Sequence, residues 1–263
     1  MSSPSAPITS APDQVTDRAI ILVKAAPQLG DKHGETVCTA SITWSGTWVR
    51  LYPIAFRTLA EAQQFKRWDI VEYQWKKPKD DPRAESRRVQ NETLKVVGQL
   101  PKGERFGLVD SMVVNSLTAQ RAAGLSFAFI RPKIRKFTIE AKSAAELQEE
   151  QTRFNIYANQ QDFFLKPLVP YKPCPHRFKY DYETADGKRT GTCQDWETEA
   201  TYFHWVRDYG ETEALKHMHQ RWGEELPQKG LLFAMGTHSL YPDTWLINGI
   251  IQMGELGQLS FGF

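Results

Sequence analysis

The sequence has few cysteines, no long apolar run and no targeting pattern, and each of these absences excludes a class of protein. Three cysteines in 263 residues are too few for a disulfide framework and favour a reducing compartment, so we expect a cytoplasmic protein. No apolar run approaches the ~20 residues that cross a bilayer. Residues 1–17 contain no basic residue and no apolar segment, which is unlike a secretory signal and typical of a flexible leader.

The motifs that identify common enzymes and metal sites are also missing. The sequence contains no P-loop, GxSxG, HExxH or GxGxxG pattern. Cys174, His176 and Cys193 lack the CxxC spacing and the fourth ligand of a structural zinc site. We therefore expect no bound metal and no other cofactor.

A weaker catalytic signal lies in the C-terminal half. Two carboxylates four residues apart could share one helix face, and together with a histidine they could support metal-assisted phosphodiester cleavage. The candidates are Asp195, Glu199, His204 and His238. Asp195 is equally well explained as a helix N-cap and Glu199 as a solvated residue, so enzymatic activity is the less favoured interpretation.

Charge is distributed unevenly along the chain. Residues 1–140 contain 21 Lys and Arg against 14 Asp and Glu, a net charge of +7, whereas residues 141–263 have a net charge of −5. This asymmetry predicts two regions with different surface roles, or two neighbouring domains that attract each other. A hydrophobic share of 41% and an aromatic share of 12% are sufficient for a sizeable core.

Short alternating segments separated by turn residues predict an α+β chain. We expect a leader (1–17), then a basic, aromatic-rich, mostly β, barrel-like domain (18–140), similar in size to PUA-like and oligonucleotide-binding barrels. A helix and a Pro-rich connector (141–175) should lead to an acidic α+β domain (176–263) with two hairpins and two helices. Fold similarity of this kind does not establish function.

The stretch WSGTWVRLYP contains the first candidate binding surface. If Ser45-Gly46 is a two-residue hairpin loop, Ile42 pairs with Val49 and Ser41 pairs with Arg50. One strand face then presents Trp48, Arg50 and Tyr52 opposite small hydroxyl residues. Rings and a guanidinium plane stack on bases at ~1–3 kcal/mol per base. The alternative is that these aromatics are covered by a helix or by the other domain.

A basic run between residues 66 and 88 is the second candidate surface, because its charges are interleaved with Trp68, Tyr73 and Trp75. Positive charge that displaces counterions and rings that stack are the two requirements of a polyanion-binding surface. The residues predicted to hold phosphates are Arg67, Lys76, Lys77, Arg83, Arg87 and Arg88. An ordinary solvated loop is the alternative.

The favoured interpretation is a nucleic-acid-binding protein, with DNA and RNA both open. The acidic half would be a surface for a protein partner or for self-association, with its exposed helices and the loop at 240–243 as contact points. Two alternatives stay open, which are a metal-dependent nuclease or nucleotide-processing enzyme, and a protein-interaction adaptor without nucleic-acid contact. No membrane contact is expected.

Overall fold

The computed structural model describes residues 15–30, 33–159, 169–238 and 241–256. Within these residues the chain forms a β-barrel followed by an α+β part. This is the fold class that the sequence patterns predict. The leader expected over residues 1–17 lies mostly outside the described residues, and its last three residues begin the first strand.

Seven strands build the first part of the fold. They are β1 (Val15–Lys24), β2 (Gln28–Gly30), β3 (Gly34–Thr43), β4 (Trp48–Ile54), β5 (Asp69–Lys76), β6 (Ser86–Val89) and β7 (Lys95–Gln99). The period of two is plain in β5, where Val71 and Tyr73 are fully buried while Glu72 between them is not. Such alternation is typical of a strand with one face on a core.

β1 closes the barrel because it pairs antiparallel with β3 on one side and with β5 on the other. The strand order runs β1-β3-β4-β6-β5 and returns to β1, with β2 added beside β3 and β7 added beside β5. The interior is filled by fully buried side chains, including Ile21, Val49, Leu51, Val71 and Tyr73. Closure removes the exposed strand edges that an open sheet would present.

Helices and six further strands build the second part. In chain order these are α1 (Lys102–Asp110), α2 (Leu117–Ala122), β8 (Phe127–Ile130), β9 (Lys133–Ala141), α3 (Ala144–Asn159), β10 (His176–Thr184), β11 (Gly187–Cys193), α4 (Trp196–Tyr209), α5 (Glu211–Met218), a π-helix (His219–Glu225), α6 (Leu226–Lys229), β12 (Leu231–Thr237) and β13 (Trp245–Gln252).

Strands β8 to β13 form a single sheet in the order β8-β12-β13-β11-β10-β9. Helices α4 and α5 and the π-helix share one apolar core with this sheet. Tyr202, Met218 and Trp222 from the helices are buried together with Phe178 and Phe233 from the strands. The hairpins β10–β11 and β12–β13 are the two that the sequence predicts.

Two strands expected in the first domain, β8 and β9, lie in the second sheet instead. β8 pairs with β12 and β9 pairs with β10, so the expected division after residue 140 does not follow the sheets. All four residues of β8 are buried, and a strand buried on both faces must lie between layers. The apolar sequence of β8 indicates that the strand is buried, but it does not indicate which sheet the strand joins.

The two parts are packed against each other through a shared apolar core. Leu22 of β1, Phe129 of β8 and Leu232 of β12 belong to one buried cluster. Backbone contact reinforces it, because the amide of Ala26 donates to the carbonyl of Gln194 at 2.9 Å. The barrel and the second sheet therefore meet along a continuous interface, and any groove at its border has one wall from each.

Candidate nucleic-acid interface

The β3–β4 hairpin has a three-residue loop, and this corrects the expected pairing. The amide of Thr43 donates to the carbonyl of Thr47 at 2.9 Å, and Gly46 adopts a positive φ of 78°. A turn followed by a left-handed glycine is a common three-residue hairpin loop. Ile42 therefore lies opposite Trp48 and not opposite Val49. The shift is one residue.

A shift of one residue moves the hydroxyl side chains to the other face of the sheet. Thr39 lies opposite Leu51 and Ser41 lies opposite Val49, and all four are fully buried. Thr39 and Ser41 satisfy each other with an Oγ1···Oγ distance of 3.2 Å. The prediction that small hydroxyl residues lie beside the Trp-Arg-Tyr face is therefore wrong.

Trp48 is covered by the second part of the chain. Its ring centroid lies 5.2 Å from that of Phe127 and 4.9 Å from that of Phe129, both in β8. The side chain is half-buried in the core that joins the two parts. These contacts favour the alternative that Trp48 is covered by the other domain, and its contact with a base stays a prediction.

Arg50 is almost completely buried, with 6% of its surface exposed. Its guanidinium lies 4.0 Å from the ring centroid of Phe127 and donates to Cys38 Sγ at 3.4 Å and to Ser126 Oγ at 3.2 Å. None of the residues that the structure describes accepts a hydrogen bond from its Nε. The stack on Phe127 fixes the plane of the guanidinium.

A cleft of about 580 Å³ opens between the barrel and the second sheet. Five of the nine residues predicted to contact nucleic acid line it, and they come from both predicted surfaces. These residues are Arg50, Tyr52, Arg83, Arg87 and Arg88. The opposite wall is formed by Gln194, Thr237, His238, Leu246 and Asn248. We call this space the interdomain cleft.

Two arginines of β6, Arg87 and Arg88, line the interdomain cleft, and neither forms an ion pair with a described carboxylate. The guanidinium of Arg87 lies 3.9 Å from the ring centroid of Trp75 and donates to the carbonyls of Ala84 and Ser86. Arg88 Nη2 lies 2.9 Å from His33 Nε2. Because arginine only donates, this nitrogen of His33 is the acceptor in the contact.

Arg83 is held by Asp81 in a two-point ion pair, at 2.8 Å and 2.7 Å. Burial alone would raise the pKa of Asp81, but hydrogen bonds from Arg83 and Ser86 lower it to about 2. Arg83 also donates to the carbonyl of Thr237 at 3.2 Å. The loop before β6 is thus tied across the cleft to β12.

The lining of the interdomain cleft combines positive charge with apolar surface. Four arginines line it against two carboxylates, those of Asp80 and Asp81. Apolar atoms come from Val23, Ala40 and Leu246, among others. An apolar lining with a few convergent polar groups is typical of a ligand site, and the excess of arginine favours an anionic ligand.

Three of the predicted phosphate contacts do not line the interdomain cleft. Arg67 is buried, and it pairs with Asp195 at 3.2 Å and with Glu197 at 2.9 Å. It therefore joins the two parts of the chain and is not available to a phosphate. Lys76 and Lys77 are exposed at the end of β5, and their contact with nucleic acid stays a prediction.

The four catalytic candidates lie in four different environments. Asp195 caps α4 and accepts from the amides of Glu197 and Ile250 at 3.1 Å and 2.9 Å. Glu199 accepts a hydrogen bond from Tyr171 Oη at 2.9 Å, and His204 is exposed on α4. His238 lines the interdomain cleft. Asp195 and Glu199, which were expected to share one helix face, therefore have different hydrogen-bond partners.

Burial dominates the electrostatics of the two carboxylates. It raises the pKa of Asp195 to about 6, with the charge of Arg67 opposing the change. Burial also raises the pKa of Glu199, with the hydrogen bond from Tyr171 opposing it.

Among the described residues no group of three or more metal-ligating side chains is placed to hold an ion. No helix within the described residues is long and apolar enough to cross a membrane.

Several residues of the cleft could not be identified from the sequence. His33, Thr237 and Asn248 carry no motif, and neither does Ser126, which contacts the cleft residue Arg50. Ser126 contacts Arg50 although 76 positions separate them. Only the packing of the two parts brings such residues together, so no short-range signal marks them.

Comparison with solved structures adds little to this geometry. A chain from a replication protein A heterotrimer bound to ssDNA aligns with 91% of this chain and 65% of its own length, at 10% identity and a TM-score of 0.25. The present chain thus spans less than two thirds of that chain, and a TM-score this low does not establish a common fold. No curated protein sequence matches the chain.

Two protein families match consecutive parts of the sequence. The family described as "Domain of unknown function (DUF8758)" matches residues 15–111, which include the barrel and α1. The family described as "Domain of unknown function (DUF8757)" matches residues 110–259, which include the second sheet and its helices. Since the second match covers more than half of the 263 residues, the chain belongs to the family described as Domain of unknown function (DUF8757).

Proposed function

We propose that this protein binds nucleic acid and that the interdomain cleft is its binding site. One observation carries the proposal. A single cleft is lined by residues from both predicted surfaces, the one predicted to stack on bases and the one predicted to contact phosphates. These residues include Arg50, Tyr52, Arg87 and Arg88. A positively charged groove combined with an aromatic ring is the usual basis of binding to single strands.

The electrostatics of the cleft support an anionic ligand. Arg87 and Arg88 contact backbone carbonyls, an indole ring and an imidazole, and these partners leave their positive charge uncompensated. Charge–charge attraction is stronger in a partly enclosed, low-dielectric site than at an open surface. Phosphate oxygens arriving in the cleft would therefore meet charges that no described carboxylate neutralises.

The acidic half of the chain is proposed as the surface for a protein partner or for a second copy. Exposed aromatic residues there include Tyr209 at 55% and Tyr241 at 66%. Asp243 in the same loop pairs with Arg121 at 3.1 Å. The proposed contact loop begins at residue 240, which lies outside the described residues.

The test of nucleic-acid binding is the salt dependence of affinity in an Arg87→Gln/Arg88→Gln variant. Fluorescence anisotropy with a labelled single strand of about 12 nucleotides would be measured between about 50 mM and about 200 mM salt. Wild type should bind with a steep salt dependence. The variant should bind more weakly, and its slope of log K against log salt should fall by about 1.4, since each lost phosphate contact removes about 0.7.

The control is Arg207→Gln, which removes one positive charge from the exposed surface of α4. Its slope should equal that of wild type. If the double variant also keeps the wild-type affinity and slope, the interdomain cleft is not the binding site. If wild type itself ignores every strand at low salt, the protein does not bind nucleic acid.

A further inference from the structure

The three cysteines of the chain lie in different environments, and one of them lines the interdomain cleft. Cys174 and Cys193 are 2% and 5% exposed, and burial raises the pKa of both thiols to about 12. Cys38 is a free thiol that is half-buried on β3. Since reaction at sulfur requires access, a dissolved reagent reaches Cys38 in the folded protein and not the two buried thiols.

Cys38 lies on the face of β3 that borders the cleft. Thr36, Cys38 and Ala40, at alternate positions of the strand, line the interdomain cleft, whereas Val37 belongs to the buried core of the barrel. Alternate positions of a strand lie on one face of a sheet. The Cys38 side chain therefore borders a space of about 580 Å³, which is large enough for a drug-sized molecule.

A buried arginine is directed at the sulfur of Cys38. Arg50 is 6% exposed, and its Nη1 donates to Cys38 Sγ at 3.4 Å. Its other side-chain partners among the described residues are the Ser126 hydroxyl and the Phe127 ring, so none of the three is a carboxylate. Glu85 joins the network one step away, as the acceptor of the Ser126 hydroxyl. A buried guanidinium without an ion pair is unfavourable, so an anionic group arriving beside Cys38 would be stabilised.

Further arginines make the surroundings of Cys38 positively charged. Burial alone would lower the pKa of Arg83, but hydrogen bonding and charge from Asp81 raise it, and the charge of Cys38 adds to that increase. Arg87 and Arg88 line the same cleft. A partly exposed sulfur among cations is the usual environment of a reactive cysteine. The same cations attract anionic reagents and repel cationic ones.

We propose that Cys38 is a modification site for small anionic disulfides, and that the attached group excludes an anionic ligand from the interdomain cleft. In the exchange the Cys38 sulfur forms a bond to one sulfur of the reagent, and the S–S bond of the reagent breaks. Cys38 is oxidised, and the other sulfur of the reagent is reduced and leaves as a thiol with the proton from Cys38. The exclusion of nucleic acid rests on the proposed function, whereas the reactivity of Cys38 does not.

Reactivity is tested by mass spectrometry of the full-length folded protein after exposure to one of two disulfides. Oxidised glutathione carries a net negative charge and cystamine a positive one. Oxidised glutathione should add one group to wild type and none to Cys38→Ser, whose hydroxyl keeps an acceptor for Arg50. The ratio of the glutathione rate to the cystamine rate at Cys38 should exceed the same ratio in urea-unfolded protein by about tenfold or more.

Charge variants test whether the arginines of the cleft cause this preference. Arg87→Gln/Arg88→Gln should lower the rate ratio of the folded protein, and Arg207→Gln, on the exposed surface of α4, should leave it unchanged. No adduct on folded wild type, or an equal adduct on Cys38→Ser, would overturn the assignment of Cys38. A rate ratio equal to that of the unfolded protein would overturn the preference for anionic disulfides.

Exclusion from the cleft is tested by fluorescence anisotropy of a labelled single strand with the glutathione adduct of wild type. Its affinity should be at least about tenfold weaker than that of unmodified protein, and reduction by dithiothreitol should restore it. Cys38→Ser exposed to the same reagent is the control and should keep its affinity. Unchanged affinity of the adduct would overturn the exclusion. Absence of binding by unmodified wild type would instead overturn the proposed function, and the adduct measurements alone would then decide the assignment of Cys38.

Discussion

Removal of the Asp195 carboxylate should destabilise the whole fold, because this group links the barrel to the second sheet. Asp195 is 2% exposed and accepts from Arg67 at 3.2 Å and from the amides of Ile250 and Glu197. Asp195→Ala leaves the guanidinium of Arg67 buried with Glu197 as its remaining carboxylate. A buried ion pair that loses one partner costs about 3–5 kcal/mol, and the lost helix cap adds about 1 kcal/mol.

Glu197 is 49% exposed and compensates in part, so the expected loss is about 3–5 kcal/mol in total. Urea unfolding followed by tryptophan fluorescence measures it, with the free energy obtained by linear extrapolation. Glu197→Gln is the control and should cost about 1 kcal/mol or less, since its contact is partly solvated. Replacing both partners, in Arg67→Met/Asp195→Ala, should recover stability relative to Asp195→Ala alone, because no unpaired charge stays buried. If the free energy of unfolding of Asp195→Ala is within about 0.5 kcal/mol of the wild-type value, the ionic link does not hold the two parts together.

The pH dependence of stability and the role of Trp48 give two further predictions. Burial raises the pKa of Asp195 from 3.8 to about 6 in the folded state. Between these two pH values the native state therefore binds more protons than the unfolded state, and the free energy of unfolding should fall as pH rises. Urea unfolding of wild type and Asp195→Asn at several pH values measures this effect, and parallel pH profiles of the two proteins would contradict it. Trp48→Ala should cost about 3–5 kcal/mol and leave the affinity for a single strand unchanged, since its ring packs on Phe127 and Phe129. Trp44→Ala, at a ring that is 69% exposed, should change stability by about 0.5 kcal/mol or less. A weaker affinity in a folded Trp48→Ala protein would instead place Trp48 in the interface.

Local patterns predicted most of the secondary structure. The alternation in DIVEYQW predicts β5, and Asp195 and Gly210 bound α4 as a cap and a terminator. These elements depend on neighbours within a few residues, so their signals are complete in a short window. The basic run also predicted three of the arginines that line the interdomain cleft, namely Arg83, Arg87 and Arg88.

The register of the first hairpin shows where a local pattern fails. Ser45-Gly46 suits a two-residue loop, but the chain uses a three-residue loop in which Gly46 takes the left-handed conformation. Both loop lengths are common in hairpins. The choice is decided by burial, because the observed register places Val49 and Leu51 inside the barrel and turns Trp48 towards β8. That burial involves residues about 80 positions further along the chain.

By itself the sequence determined which segments form strands and helices, where the positive charge lies, and that arginine and aromatic side chains alternate in the first half. The tertiary structure decided what those side chains contact. Arg67 and Arg50 carry the same charge, yet one is neutralised by Asp195 across the interface and the other lines the cleft. The difference arises because a carboxylate 128 positions away is packed beside one guanidinium and a serine beside the other. Such pairings are set by how two sheets pack, and no local preference specifies them.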